Sequence, residues 1–437
     1  MAASSPAARA AGTDFRPPLL HPPTLRLFQT LLPGLLRRFC GVVSVDVPPE
    51  DARRLRALAG ERLLLAPNHP TNDDPALLFA LAKAAGMPFR YLCCREAFDH
   101  LFGLWGWVIQ RLGAYSVVRG TTDRDSFRTT RALLAAPAGK VVIFPEGEMH
   151  SQNDTLLPFH AGVVQLAFWA LEDLHKAGDP AASVSLLPVA LRYFFTEDMT
   201  AAIDESLARL ERAVRPPDAD LDAAPAEPYA RMRRVGVGML EVMEAEYGLK
   251  TKPAAGEPDL TPRLHALKSL LLDRAAGLIG VPLPPDATLP ERMRLLINAV
   301  YAVTHEEAAA PRSPYQARVH RQQAARATPL LSDLNRVANW IAVQDNYVRA
   351  RPTPERMADT LRRLEIEAFG KASLRGQRRA LVRVGEPITL ASCYDAYRAD
   401  KRATVARVTH ELEAAVQGLL DTGKDPVTAV SVGGRVE

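Results

Sequence analysis

Three short apolar runs restrict the folds open to this chain more than any other feature: Arg62 to Ala66, Ala114 to Val118 and Lys140 to Phe144. Each is too short for a helix and runs straight into a polar loop, the pattern of a strand buried on both faces. Between them lie stretches of helical spacing, Pro75 to Ala85 stopped by Gly86, and Asp123 to Ala135 stopped by Pro137 and Gly139. Strand alternating with helix predicts an α/β domain on a substantially parallel sheet. In such sheets ligands meet the loops at the carboxyl ends of the strands.

The pattern continues with a helix from Gly162 to Leu174 and a strand from Ser183 to Phe195, and then it changes. Arg215 to Pro228 and Thr251 to Pro258 are rich in Pro, Ala and acid and read as linkers. Around them the spacing is helical: Leu264 to Ile279, Glu291 to Glu307, Leu330 to Val343 and Pro354 to Phe369. Arg379 to Val384 restores an extended run, Gly385-Glu386-Pro387 turns it, and Thr404 to Leu420 closes as an amphipathic helix. The chain therefore divides into a tail over 1–23, an α/β core over 24–200, a mainly helical insertion over 201–377, the rest of the core over 378–422 and a tail over 423–437.

Composition permits more than it decides. Hydrophobic residues at 47% and charged residues at 24% exclude a mainly disordered chain. A net charge of +4 is too weak to argue for nucleic acid, yet it suits anionic lipid headgroups. Cys40, Cys93, Cys94 and Cys393 form neither a disulfide scaffold nor a zinc-type pair, so a reducing compartment is expected. The first residues lack the basic and apolar regions of a signal peptide. No window holds the roughly 18 uninterrupted apolar residues of a spanning helix, so any membrane contact is expected to be peripheral. One segment offers such a contact. Thr24 to Cys40 sets Leu27, Phe28, Leu31, Leu32, Leu35, Leu36 and Phe39 at helical spacing with Arg26, Arg37 and Arg38 near its ends, broken by Pro33 and Gly34. That stripe either enters a bilayer interface or packs on the core.

The residues that carry chemistry sit after the predicted strands. Asn68-His69-Pro-Thr-Asn-Asp-Asp74-Pro75 follows the first, and His69 alone among ten histidines both follows a strand and is trailed by carboxylates within a turn. A loop flanked by two prolines can fold Asp74 back onto the His69 ring, the pairing a general base needs to hold its tautomer. Asp74 before Pro75 is equally what a helix N-cap looks like, and the two roles can coexist. Gly113-Ala-Tyr-Ser-Val-Val-Arg119 follows, then Phe144-Pro145-Glu146-Gly147, then Leu187-Pro188-Val189. Singly, a Pro-Glu-Gly turn or an arginine at a strand end is ordinary punctuation.

Taken in order, these motifs closely resemble the glycerol-3-phosphate and lysophospholipid acyltransferase family, over about Leu25 to Phe195 and again from Arg379 to Leu420. Gly162, Leu166-Ala167 and the late Val384-Gly385-Glu386-Pro387-Ile388 add to the likeness. The resemblance implies the glycerolipid acyltransferase-type fold, a mixed, largely parallel sheet flanked by helices, here with a large helical insertion before the last strand. It implies transfer of a fatty acyl group from acyl-CoA or acyl carrier protein to a hydroxyl of a lysophospholipid or glycerol phosphate, with no metal, no bound cofactor and no acyl-enzyme. His69 would be the general base and Asp74 its orienting partner. Arg119, Pro145, Glu146 and Gly147 would bind the acceptor, and the enzyme would lie peripherally on the cytoplasmic face of a membrane. The chain departs from the family in two places. Glu148 stands where the family has Thr or Ser, which opens the alternative of an unphosphorylated acceptor, since a carboxylate beside a phosphate repels it unless it pairs with a cation. The insertion is far larger than the family's connection, which leaves open a lid, a docking surface for carrier protein, a membrane platform or a solvated appendage with its own core. It also leaves open a non-catalytic lipid-binding scaffold with the same fold.

Overall fold

The structure is a computed structural model that describes residues 15–118, 123–214, 227–249, 260–305, 313–340 and 343–422. Its centre is one eight-stranded sheet. In chain order the strands are β1 (Val42–Asp46), β2 (Leu63–Pro67), β3 (Arg90–Cys94), β4 (Ala114–Val117), β5 (Lys140–Val142), β6 (Ser185–Phe195), β7 (Arg378–Val384) and β8 (Ile388–Thr389). They lie in the order β1-β7-β6-β2-β5-β3-β4, with β8 paired to the start of β6. From β6 to β4 all pairings are parallel, while β7 runs antiparallel to β6 and parallel to β1. The three apolar runs are therefore strands of one parallel sheet, as their alternation with helices predicts.

Burial explains their composition. β2 is buried at all five positions and β6 at ten of eleven, because helices cover both faces. One face is filled by Leu63, Leu65, Leu187, Val189 and Leu191 against helix Asp74–Ala85. The other is filled by Leu64, Val141, Leu186 and Ala190 against helices Ala161–Lys176 and Lys401–Thr422. β7 alternates, with Ala380, Val382 and Val384 buried and the partly exposed Leu381 and Arg383 between them.

Sequence periodicity does not reveal β1 and β3. Val42–Asp46 and Arg90–Cys94 are short and carry Ser, Asp, Arg and Cys, so neither reads as an apolar run. The amphipathic segment forms helix Pro22–Leu35, with Pro33 inside it, and ends in one π turn over Leu36–Cys40. Leu25, Leu32 and Leu36 are buried and Phe28 packs edge-on against Phe79, while Leu27, Leu31 and Phe39 stay exposed. The stripe is thus divided, half packed on the core and half facing solvent.

The insertion has a core of its own, built by Leu207, Leu240, Leu264, Leu271, Leu296, Val300, Leu334 and Leu361 from six helices between Thr200 and Phe369. Its two ends meet: Phe195, the last residue of β6, is in register with Arg378, the first of β7, and Thr196 N donates to Gln377 O at 2.9 Å. The insertion is thus the long tip of an antiparallel hairpin. The β6–β7 pairing closes it, and the entropy of loop closure grows only slowly with length. Among the described residues no helix is long and apolar enough to cross a membrane.

Candidate active site

The site begins where β2 runs out of hydrogen bonds to give. Pro67 ends the strand without an N–H, and Asn68 takes over the pairing with its side chain, accepting from Leu191 N at 2.7 Å and donating to Leu191 O at 2.9 Å. Two residues along β6, Asn153 repeats the device, accepting from Tyr193 N at 2.7 Å and donating to Tyr193 O at 2.6 Å. Two buried asparagines therefore satisfy the edge of β6 that β2 leaves open. They bring the loop after β2 and the loop after β5 to the same place.

In that opening His69 Nδ1 lies 2.7 Å from Asp74 Oδ2. Helix Asp74–Ala85 starts at Asp74 itself, so this residue is not the N-cap; Asp73 holds that position without a side-chain cap bond. The Asp74 carboxylate instead points back along the chain and is saturated with donors. Oδ2 also accepts from Thr71 N at 2.8 Å, while Oδ1 accepts from the Thr71 hydroxyl at 3.0 Å and from the Tyr193 hydroxyl at 2.6 Å. Asp74 is fully buried, and the first turn of its helix adds positive potential to these bonds. Burial, and next the Asp74 charge, hold the Tyr193 proton well above the usual phenol range, so Tyr193 remains a donor. With every neighbour donating to Asp74, the His69 bond to it is N–H from Nδ1, which leaves Nε2 with the lone pair.

Two further contacts hold His69, one on its ring and one on its backbone. The Phe144 ring stacks on it at 4.0 Å between centroids, and Glu146 Oε1 accepts from His69 N at 2.7 Å. His69 keeps 17% of its side-chain surface, against none for Asp74, so the histidine is the partly accessible member of the pair.

Glu146 has both carboxylate oxygens engaged within the protein. It is buried, its Oε2 accepts from Leu157 N at 2.6 Å, and His150 Nε2 stands 2.7 Å from the same oxygen, close in distance but out of line for a hydrogen bond. Gln152 N donates to His150 Nδ1 at 3.3 Å, so the His150 proton is on the nitrogen facing Glu146. Pro145 is buried and offers its carbonyl to His160 N at 2.8 Å. Gly147 is partly exposed, takes φ +69 and donates to Phe144 O at 3.1 Å, closing the turn beside His69. Arg119 lies outside the described residues. Among the described residues no group of three His, Cys, Asp or Glu side chains is gathered to hold a metal ion.

The insertion docks on this loop with charges. Asp154 meets Arg356 at 3.0 and 3.1 Å, Asp359 accepts from Asn153 N at 3.0 Å and from the Tyr347 hydroxyl at 2.9 Å, and Arg363 donates to His150 O. Glu148 is bonded by Arg294 Nε at 3.3 Å. Tyr193, Asn153 and Arg294 are the participants that sequence reading misses. None lies near His69 along the chain, and only the register of β6 and the docking of the insertion bring them there.

Residues 47–192 match the family model described as Acyltransferase. A search of curated proteins returns no match. The matched segment holds Asn68, His69, Asp74, Phe144 and Glu146, and residues 47–192 are similar to the acyltransferase domain of the glycerolipid acyltransferase family, which includes the 1-acylglycerol-3-phosphate acyltransferases.

Proposed function

We propose that this acyltransferase moves a fatty acyl group from acyl-CoA or acyl carrier protein to a hydroxyl of a lysophospholipid or glycerol phosphate, at a membrane surface. The observation that carries the reading is the His69–Asp74 pair, with Nδ1 engaged at 2.7 Å and the His69 side chain still partly exposed. His69 Nε2 takes the proton of the acceptor hydroxyl as its oxygen attacks the thioester carbonyl. The tetrahedral intermediate then collapses, the carbon–sulfur bond breaks, and the leaving thiolate receives that proton from the imidazolium. Asp74 stabilises the imidazolium between the two transfers. Glu146 and Phe144 hold the ring in place, so Glu146 acts on the base and Gly147 and its turn lie towards the acceptor.

The lipid character of the substrate draws support from the same edge of the sheet. β2 and β3 are parallel, so the connection after β3 starts at the His69 end, and it displays Leu101 and Phe102 from a loop and Leu104, Trp105 and Trp107 from the helix Leu104–Arg111 to solvent. Val42 pairs with Arg378, across from the end of β6, which sets the exposed Phe39 at this edge too. Bulky residues seldom adopt positive φ, yet Leu101 and Phe102 take φ 53 and 55 with their side chains outward. Exposed aromatic and aliphatic residues beside Arg37 and Arg38 fit an interfacial surface. Glu148, the residue that favours an unphosphorylated acceptor, has its charge met by Arg294.

The test is transfer of label from acyl-CoA and from acyl carrier protein to lysophosphatidate, other lysophospholipids and glycerol 3-phosphate, read by mass spectrometry. His69→Ala is expected to lose activity by roughly 10²–10⁴-fold with its fold intact, the range of a general base. Undiminished turnover in that variant, or vesicle binding with no thiol released from any donor, overturns the reading and leaves a lipid-binding scaffold.

A further inference from the structure

We propose that Arg294, carried by insertion helix Leu289–His305, binds the phosphate of the acceptor at the Gly147 turn, so that the insertion sets acceptor specificity. The inference rests on the proposed acyl transfer for its substrate, and on the following geometry for its residue.

Arg294 reaches out of the insertion and lies over the turn next to the base. A Cβ built on Gly147 would stand 2.8 Å from Arg294 Nη2 and 3.0 Å from His160 Cδ2, so the guanidinium lies directly against the glycine of the turn. Gly147 closes the turn on Phe144, whose ring is stacked on His69. The cation therefore sits within one turn of chain from the ring that backs the proposed base.

Its donors are unequally used. Nε points to Glu148 Oε1 at 3.3 Å, and Nη1 lies 2.9 Å from His160 Nε2. An arginine can only donate, so that histidine nitrogen carries no proton, and burial together with the Arg294 charge keeps His160 below its usual range. Nη2 is buried and has no hydrogen-bond partner among the described residues. A buried, unpaired N–H of a cation is costly unless an acceptor oxygen arrives to meet it. A phosphate oxygen suits it, because the guanidinium fork matches phosphate geometry and the charge is already in place.

Glu148 gives the arrangement its selectivity. With the acceptor absent, it balances Arg294 and makes the cation's confinement tolerable. With a phosphate bound, it competes for the same guanidinium. The two residues thus pull the affinity for phosphate in opposite directions, whereas a mere tether between insertion and core would lose from the removal of either.

The experiment measures binding and turnover with a short-chain lysophosphatidate below its micellar concentration, the matching monoacylglycerol, and inorganic phosphate as competitor. Binding is measured by calorimetry in the His69→Ala background, so it does not depend on turnover. Arg294→Gln is expected to weaken lysophosphatidate binding, and to raise its KM, by tenfold or more. The KM for the acyl donor and the binding of monoacylglycerol should be unchanged, and Arg294→Lys should restore part of the loss. Glu148→Gln is expected to tighten lysophosphatidate binding several-fold. Inorganic phosphate should compete with lysophosphatidate in the parent protein and not in Arg294→Gln. Equal loss for the phosphorylated and unphosphorylated lipids, or loss of lysophosphatidate binding in Glu148→Gln as well, overturns the proposal and makes Arg294 a tether. Phosphate-selective binding lost in Arg294→Gln, in a protein that transfers no acyl group, would uphold the site and reject the reaction.

Discussion

The Tyr193 hydroxyl donates to Asp74 Oδ1 at 2.6 Å, from a strand 119 residues further along the chain. This bond ties the carboxylate behind the proposed base to β6, the longest strand of the sheet. It makes the pair a triad in structural terms: His69, Asp74 and a buried phenol that donates at any physiological pH.

Tyr193→Phe removes that donor and leaves the ring, over which the Arg378 guanidinium sits at 4.8 Å. Thr71 still donates twice to Asp74, so the variant should fold with a loss of about 1 kcal/mol, read by chemical denaturation. Turnover should fall roughly tenfold, with KM for the acceptor nearly constant, because the phenol acts through Asp74 and does not touch substrate. A change in KM alone would place Tyr193 in the acceptor site instead.

Glu146→Gln separates two roles for the glutamate. Both carboxylate oxygens accept backbone N–H bonds, from His69 at 2.7 Å and Leu157 at 2.6 Å, and an amide can accept only one of them. The variant should lose about 2 kcal/mol of stability, since a buried N–H then faces an NH₂ group. Its kcat should drop while KM for the acceptor stays within about twofold. A rise in acceptor KM with unchanged kcat would return Glu146 to the substrate-binding role that family likeness implies.

What could be read from the chain, and what could not, divides along sequence distance. His69 and Asp74 share one loop, and the prolines on either side already confine it, so their pairing was legible from the residues alone. The strands that alternate with helices were legible for the same reason, because each crossover is local. Tyr193 was invisible because Tyr in an apolar strand reads as core, and only the β2–β6 register turns its hydroxyl towards Asp74. Asn68 lay inside the motif, but its work, standing in for the N–H that Pro67 lacks, appears only once β6 lies alongside. Arg294 is one arginine among many on an amphipathic helix, and its position depends on docking through Asp154, Asp359 and Arg363. β1 and β3 escaped because Ser44, Asp46 and Arg90 break their apolar runs.

That docking should make stability depend on pH in a defined direction. Asp359 is half-buried between insertion and core, and the desolvation it meets there raises its carboxyl from 3.8 to about 6. A raised value means that the folded state holds the proton longer than the unfolded chain. The contribution is therefore complete below about pH 4 and is lost as the pH rises through 6. Asp359→Asn keeps an oxygen to accept from Asn153 N and the Tyr347 hydroxyl, both of which now share one carboxylate oxygen. The variant should be more stable than the parent at pH 8, by up to about 3 kcal/mol, and equal to it near pH 4, in thermal melts at matched ionic strength. A variant less stable at both values would mean that the charge itself, with Arg362 nearby, holds the insertion down.

The exposed apolar edge can be tested apart from chemistry. Leu101 and Phe102 project from strained backbone at the His69 end of the sheet, and Phe39 reaches the same edge from the other side. An interfacial surface gains on the order of 1.5–3 kcal/mol for each large side chain it fully buries. Replacing Leu101 and Phe102 together with Ser should therefore weaken binding to vesicles of mixed neutral and anionic lipid by at least tenfold, read by sedimentation. The fold should not suffer, since both side chains are largely exposed and serine, like the residues it replaces, keeps a Cβ at the same positive φ. Transfer to a short-chain acceptor dissolved as monomer should be unchanged, while transfer to acceptor embedded in vesicles should fall with the binding. If vesicle binding persists in this variant and disappears in Leu27→Ser/Leu31→Ser, the membrane lies along the first helix instead. The base would then have to draw its acceptor from the side of the sheet that Pro22–Leu35 covers.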